Sequence, residues 1–311
     1  MPAVRDLQDR LGYVVLAATA LAYFAVYTTS LGRPPGSFDY LAILNTTMPL
    51  VLVALGQSLV VLTGGIDLSV GGVVSLCVAI TAATGGTPGW ILAVLLLGTL
   101  CGLVNGLVVA YGRIAPILTT LATLSVYTGA ALWVLPVPGG SIAPEVRAVL
   151  SNPNAPTGLG WLALAVAGWW VLRRTRFGMR VYAVGSDETA ARAVGVPVER
   201  VKAKVYALSG LCSAAAAVFY VATTTAGDAN AGAPFILTSI ASVVVGGVAF
   251  TGGKGSAMGA VAGAVALTLV IDVLFFAGID PLYQSLFQGL FLVVAVLLGT
   301  GAALLARRRS A

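Results

Sequence analysis

Side chains that commonly carry out chemistry are scarce in this sequence. It contains no histidine, which removes Ser-His-Asp and Cys-His catalysis, histidine-ligated zinc and histidine proton relays. The three cysteines, Cys77, Cys101 and Cys212, lie far apart in apolar stretches, with neither metal-ligand spacing nor a paired framework. The sequence therefore predicts three small buried thiols and no catalytic site, metal site or cofactor in this chain.

Two acidic residues adjoin apolar stretches. Asp67 lies in a glycine-interrupted apolar region just before a predicted helix. A carboxylate there either caps the helix by accepting free backbone N–H groups or lines a transport path, and the sequence leaves both interpretations open. Asp272 falls near the end of another apolar helix, which favours a position at the membrane interface over ion coupling.

The elements that must position these residues are membrane helices. Of the 311 residues, 59% are hydrophobic and 9% are charged, against about 25% charged residues in ordinary soluble proteins. This composition excludes a soluble domain and intrinsic disorder. Charge-free windows of span length predict an all-α, polytopic membrane protein with about ten transmembrane helices. They are placed at about 11–30, 41–62, 68–84, 90–110, 116–135, 158–172, 205–226, 235–250, 256–277 and 282–305.

The orientation follows from the lysines and arginines. If the N-terminus is cytoplasmic, only Arg33 and Arg147 of the 17 basic residues lie outside, which leaves 15 inside. This bias predicts that both termini are cytoplasmic. The basic pI of about 9.4 then reflects membrane orientation and contact with anionic lipid, and we expect no nucleic-acid partner.

One charged segment, residues 173–204, dominates the predicted cytoplasmic side. Within it, residues 186–196 predict a short helix that Ser186 or Asp187 caps and Gly195 ends, since Pro197 prevents continuation. The segment is either a solvated loop that only fixes topology or an element that docks on a partner. The residues predicted for the helix are Ser186, Asp187, Glu188, Ala190, Ala191, Arg192, Gly195 and Val196.

Several blocks of the sequence, taken in order, resemble one family. Residues 64–71, Gly-Gly-Ile-Asp-Leu-Ser-Val-Gly, look like the signature of ribose-type sugar permeases of ABC importers, a family of monosaccharide and branched-chain amino-acid-like permeases. Further similar blocks are 105–106, 111–116, 119–125, 174–196 and 246–256. Two positions depart from the family pattern: residues 232–239 lack a carboxylate that relatives usually carry nearby, and Thr128 stands where relatives often have arginine.

The resemblance implies a permease subunit in which residues 1–311 form a single transmembrane domain with a cytoplasmic coupling loop at 173–204. It implies partners: ATP-binding cassette subunits that bind the ATP, a periplasmic or lipid-anchored solute-binding protein, and a second permease subunit, identical or homologous. In this family interpretation the helix at 186–196 docks on the ATPase, with the small residues Ala190, Ala191 and Gly195 nearest to it.

The solute path is predicted beside the glycine break before the third helix. A neutral, monosaccharide-like solute needs hydroxyl and amide partners, although such hydroxyls also commonly bond the carbonyls of their own helix. The candidate pathway residues are Asp67, Ser69, Asn105, Thr119, Thr120, Thr123 and Ser125.

Two other functional classes remain as alternatives. A secondary transporter driven by protons or sodium would be expected to bury titratable residues in the middle of its spans, whereas Asp67 and Asp272 are both near ends. A membrane-embedded enzyme would need a nucleophile with a base, or a metal cluster, and the sequence shows neither.

Overall fold

The computed structural model describes residues 2–152 and 154–280, together with residues 283, 286, 287, 289, 290 and 293. Twelve α-helices lie within the two long ranges. Outside these helices, an isolated antiparallel bridge joins Gly139 and Gly227. The helices are α1 (Pro2–Leu31), α2 (Ser37–Leu62), α3 (Val70–Ala83), α4 (Pro88–Ala110), α5 (Pro116–Val134), α6 (Pro144–Leu150), α7 (Thr157–Leu172), α8 (Arg176–Ser186), α9 (Glu188–Ala193), α10 (Val198–Thr224), α11 (Ala233–Val245) and α12 (Ala257–Phe276).

Six of these helices are long and apolar enough to cross a membrane: α1 from Gly12, α2, α4, α5, α10 and α12. Helices α3, α7 and α11 are also apolar but have only 14, 16 and 13 residues. These nine helices coincide with nine of the predicted spans and confirm an all-α, polytopic membrane protein. The tenth predicted span, at about 282–305, lies outside the continuously described part of the chain.

The sequence does not predict α6 and α8. Helix α8 lies in the charged segment, where its composition resembles that of a loop. It forms because Val181 and Val184, one turn apart, are both buried against the bundle, as one face of an amphipathic helix requires. Its N-terminus is capped by Thr175, whose Oγ1 accepts a hydrogen bond from the N–H of Gly178 at 3.2 Å.

Helices α4 and α10 pack at backbone contact through glycines spaced four residues apart. A Cβ on Gly106 would stand 2.7 Å from the Cα of Ala203, and one on Gly102 would overlap the carbonyl of Tyr206. On the facing helix, a Cβ on Gly210 would stand 3.0 Å from the Cα of Gly102. These glycines therefore permit the close approach of the two helices.

Helices α3 and α11 are too short to cross the hydrocarbon core, and their N-terminal ends meet inside the bundle. At 1.5 Å per residue each extends about 20 Å, against about 30 Å for the hydrocarbon core of a bilayer. A Cβ on Gly71 would stand 2.8 Å from the carbonyl oxygen of Gly232, and the N–H of Gly232 donates to Ser75 Oγ at 3.0 Å. From this meeting point the helices diverge: α3 ends beside loop 139–141, and α11 ends against α12.

Candidate functional site

A buried cluster of polar side chains surrounds Asp67, which is 2% exposed. One carboxylate oxygen, Oδ1, accepts from the N–H of Ser69 at 2.9 Å and from its hydroxyl at 2.6 Å. The other, Oδ2, accepts from the hydroxyl of Ser209 at 3.0 Å. Asn105 Nδ2 donates to Ser69 Oγ at 2.7 Å. The cluster therefore ties the start of α3 to α4 and α10.

The chain reaches this cluster through the glycine break after α2. Helix α2 closes when the N–H of Gly65 donates to the Val60 carbonyl at 3.1 Å. Gly64 then takes a φ of +80°, a left-handed conformation that favours glycine. Gly65 lies under the Tyr206 ring, where a Cβ would stand 2.7 Å from the phenolic oxygen. The two glycines thus let the chain turn after α2 and pass close to α10 before it reaches Asp67.

The structure brings four of the seven predicted pathway residues together: Asp67, Ser69, Asn105 and Thr120. Thr120 Oγ1 accepts from the N–H of Leu68 at 3.0 Å and donates to its own helix at the Pro116 carbonyl, 2.9 Å away. Most hydrogen-bond donors and acceptors of this cluster are satisfied within the chain. Its geometry is therefore that of a structural connection between helices. The hydrogen bond from the N–H of Ser69 supports the helix-capping interpretation of Asp67.

The other three predicted residues also lie on α5. Thr123 donates to the Thr119 carbonyl at 3.1 Å and Ser125 to the Leu121 carbonyl at 3.4 Å, each within its own helix. Thr119 Oγ1 is buried and has no hydrogen-bond partner among the described residues. Ser125 instead lines a cavity between α3, α5 and α11.

Sequence reasoning missed Ser209 and Tyr206, both on α10. Ser209 bonds the carboxylate of Asp67. The hydroxyl of Tyr206 is buried above Gly65 without a hydrogen-bond partner in the described part of the chain. About 140 residues separate α10 from the Gly-Gly-Ile-Asp-Leu-Ser block, so no local spacing could indicate them. The one usable signal was Gly102 and Gly106, which require a close partner for α4.

The predicted cytoplasmic helix is shorter than expected and follows a second helix. Ser186 is the last residue of α8, so it does not cap the next helix. Asp187 is the cap: its Oδ1 accepts from the N–H of Ala190 at 2.9 Å. Helix α9 then ends at Ala193 with Gly195 at a φ of +82°. The N–H of Val196 returns to the Ala191 carbonyl at 3.0 Å, which completes a glycine-terminated cap.

Ala191 is buried against its own chain, with 4% exposure, as part of the core that includes α2 and α10. The expectation that it lies nearest to a partner is therefore wrong, because a six-residue helix carries too little periodicity to fix its rotation. The outward face instead presents Ala190 and Val194, and Val194 is 79% exposed.

Ion pairs hold α9 against the start of α10. Glu188 pairs with Arg192 at 3.3 Å and with Lys202. Arg192 also donates to Glu199, and this hydrogen bond raises the pKa of its guanidinium above the usual value. The charged residues of α9 are thus paired within the chain, while Ala190 and Ala193 are exposed.

The end of α8 meets two other turns at a backbone junction. Tyr182 donates its hydroxyl to the Gly255 carbonyl at 2.8 Å, and the N–H of Gly253 donates to the Leu62 carbonyl at 2.9 Å. A Cβ on Gly185 would overlap the Leu62 carbonyl and stand 2.5 Å from the nitrogen of Gly253. The segment α8–α9 therefore touches both the break after α2 and the turn between α11 and α12.

Comparison with known proteins identifies the family. The family model described as "Branched-chain amino acid transport system / permease component" matches residues 40–296. The chain belongs to this permease family. The Ribose import permease protein RbsC of Bacillus subtilis (strain 168) is 33% identical over 295 residues, which cover 85% of this chain and 86% of the relative. The Autoinducer 2 import system permease protein LsrC of Klebsiella pneumoniae is 36% identical over 312 residues, covering 96% of this chain and 86% of the relative. No solved structure matches the chain.

The family membership confirms the resemblance seen in the sequence. The protein is the permease component of an ABC import system, a membrane subunit rather than an enzyme. Its apolar helices place it as a multi-pass protein in the bacterial plasma membrane.

Substitutions of Asp67 in this permease test whether the residue caps α3 or whether its negative charge is itself required. Asp67→Leu leaves the hydroxyls of Ser69 and Ser209 without their acceptor, and a buried unsatisfied group costs about 1–3 kcal/mol. We expect Asp67→Leu to lower uptake at least about tenfold, and Asp67→Asn, which keeps an acceptor oxygen, to retain most of it. The measurement is uptake per inserted permease. Equal loss in both variants would show that the charge itself is required.

Proposed function

We propose that this permease moves a neutral, monosaccharide-like solute that an extracytoplasmic binding protein delivers, driven by ATP hydrolysis in partner subunits. The relatives are named for import of ribose and of autoinducer 2, both small and rich in oxygen. The observation that carries the solute class is the chemistry inside the bundle. The pathway candidates on α5 offer hydroxyl groups. Asp67, the buried carboxylate among the described residues, accepts hydrogen bonds from serines of its own chain.

The test is reconstitution of the permease in lipid vesicles with a candidate ATP-binding protein and a candidate solute-binding protein from the same organism. D-ribose and autoinducer 2 are supplied in parallel. We expect uptake of one of them to require ATP and the binding protein together. Uptake driven by a proton or sodium gradient in the absence of ATP would instead establish a secondary transporter.

The proposal includes an orientation with both termini and segment 173–204 in the cytoplasm, which the distribution of basic residues supports. Ser186 is exposed at the end of α8, so Ser186→Cys in a background without Cys77, Cys101 and Cys212 gives a clean label site. We expect a membrane-impermeant thiol reagent to label it in inside-out vesicles and not in intact cells. Labelling in intact cells would invert the topology.

The outward face of α9 is the proposed contact with the ATPase. An ATP-driven change elsewhere can shift the permease only through a contact that differs between its states. Ala190 is exposed on this face, so Ala190→Trp should block docking without disturbing the core. We expect loss of ATPase co-purification, or ATP hydrolysis without transport, in a normally inserted permease.

A matched control is Val149→Trp, which adds the same bulk at an exposed position on α6. It should leave both ATPase binding and uptake at the wild-type level. Normal uptake with a normally assembled Ala190→Trp complex would exclude this face as the contact.

A further inference from the structure

A cavity of about 410 Å³ lies where the N-terminal ends of α3 and α11 meet, and α5 forms its wall. Its volume is within the range of small-molecule sites, about 300–1,000 Å³. Among the described residues, four polar side chains and no charged ones line it. The four are Ser75, Ser125, Thr128 and Asn230.

Three of these groups have unused hydrogen-bonding capacity. The side chains of Thr128 and Asn230 have no hydrogen-bond partner among the described residues. Ser75 is 2% exposed, and its Oγ accepts from the N–H of Gly232. The hydroxyl proton of Ser75 has no acceptor within residues 2–152 and 154–280. A buried hydroxyl donor without an acceptor costs free energy, unless a molecule in the cavity accepts its hydrogen bond.

The Asp67 cluster differs from this cavity in that it is closed. Both oxygens of Asp67 accept bonds from serines of the same chain, whereas the cavity presents its polar groups to open space. Leu132 and Ile236 add apolar surface beside those groups. Hydroxyl and amide groups next to apolar surface match the alternating polar and carbon faces of a neutral polyol or sugar. The positive ends of two helix dipoles at the cavity favour oxygen lone pairs over cations.

We propose that this cavity binds the neutral, hydroxyl-rich solute during its passage, with Thr128, Asn230 and Ser75 bonding its hydroxyl groups. The inference rests on the proposed import function and assigns the solute contact to the meeting point of the short helices α3 and α11 rather than to the Asp67 cluster.

The test uses the complete importer in vesicles, with D-ribose and autoinducer 2 as the probes. Thr128→Val and Asn230→Leu remove hydrogen-bonding groups at nearly constant volume. We expect each to lower uptake about five- to tenfold while ATP hydrolysis stimulated by the binding protein persists. The control is Thr99→Val on α4, where the hydroxyl bonds only its own helix at the Leu95 carbonyl, 2.7 Å away, and uptake should be unchanged.

A second measurement does not depend on transport. Thr128→Cys and Asn230→Cys, each in the cysteine-free background, should react with a small water-soluble thiol reagent, and the transported probe should slow that reaction. Wild-type uptake by both Thr128→Val and Asn230→Leu would overturn the inference. Failure of both cysteines to react in the resting and ATP-bound importer would also overturn it, whichever solute is carried. If the wild-type importer moves neither probe while both cysteines react, the proposed solute class fails and the water-accessible cavity stands.

Discussion

Gly102→Ala should strongly destabilise the permease. The new Cβ would overlap the Tyr206 carbonyl and stand 3.0 Å from the Cα of Gly210, so backbone crowds it on both sides and no side chain can move aside. Overpacking of this kind costs about 1–3 kcal/mol and sometimes more. Separation of α4 from α10 would also pull Tyr206 and Ser209 away from the Asp67 cluster.

Thermal unfolding of the detergent-purified permease measures this effect. Cys77 and Cys101 are buried and become reactive toward a fluorogenic thiol dye when the bundle opens, so the wild-type chain carries its own reporter. We expect a clearly lower midpoint for Gly102→Ala and little folded protein for Gly102→Leu. Gly168→Ala on α7 is the matched control, since nothing lies within 4 Å of its added Cβ. An equal midpoint for Gly102→Ala and the control would refute the backbone contact between α4 and α10.

The long apolar helices could be predicted from the sequence because a bilayer admits few alternatives. A spanning segment must satisfy its backbone hydrogen bonds internally and exclude charge, so the charge-free windows locate the helices. Helices α1 and α10 begin well before their windows, at Pro2 and Val198, because their first turns carry charged residues. Helix α8 was not predicted because an amphipathic helix at the surface has the composition of a loop. The early end of α11 was not predicted either, because the apolar run continues to Phe250 whereas the helix ends at Val245, before Gly246 and Gly247.

The candidate site was predictable only in its local part. Asp67 and Ser69 are two residues apart, and their hydrogen bonds follow from that spacing. Their connection to Ser209 depends on which face of α10 meets α4, which is a property of packing across the bundle. The two departures from the family pattern lie far apart in the sequence, yet Thr128 and the 232–239 stretch, through Ala233 and Ile236, border the same cavity. Proximity of this kind is set by the fold and cannot be predicted from either segment alone.

Gly185→Ala should uncouple ATP hydrolysis from uptake while the permease stays folded and bound to its ATPase. Gly185 is the point where α8 touches the Leu62 carbonyl and Gly253 at backbone distance. An added methyl group would force the cytoplasmic segment away from the break that leads to Asp67. The exposed face of α9, at Ala190 and Val194, is not part of this contact and should still engage the ATPase. A coupling free energy of typical size, 1–3 kcal/mol, corresponds to a change of about five- to 150-fold, so we expect uptake per ATP hydrolysed to fall at least about tenfold.

Both quantities come from the same vesicles, by following solute uptake and phosphate release in parallel. Gly160→Ala is the matched control, because it adds the same methyl group on α7 with nothing within 4 Å, and its ratio should equal that of the wild type. A lower unfolding midpoint together with lost ATPase binding would mean that the junction supports the fold rather than transmits motion. A wild-type ratio of uptake to ATP hydrolysis in Gly185→Ala would mean that the three turns can separate without consequence. The signal from the ATPase would then reach α3 and α11 by another route, such as the ion-paired start of α10.

Combining Gly185→Ala with Lys202→Ala, which removes one ion pair between α9 and α10, would then distinguish the two routes. Only parallel routes give a larger loss of uptake per ATP hydrolysed in the double variant than in either single variant.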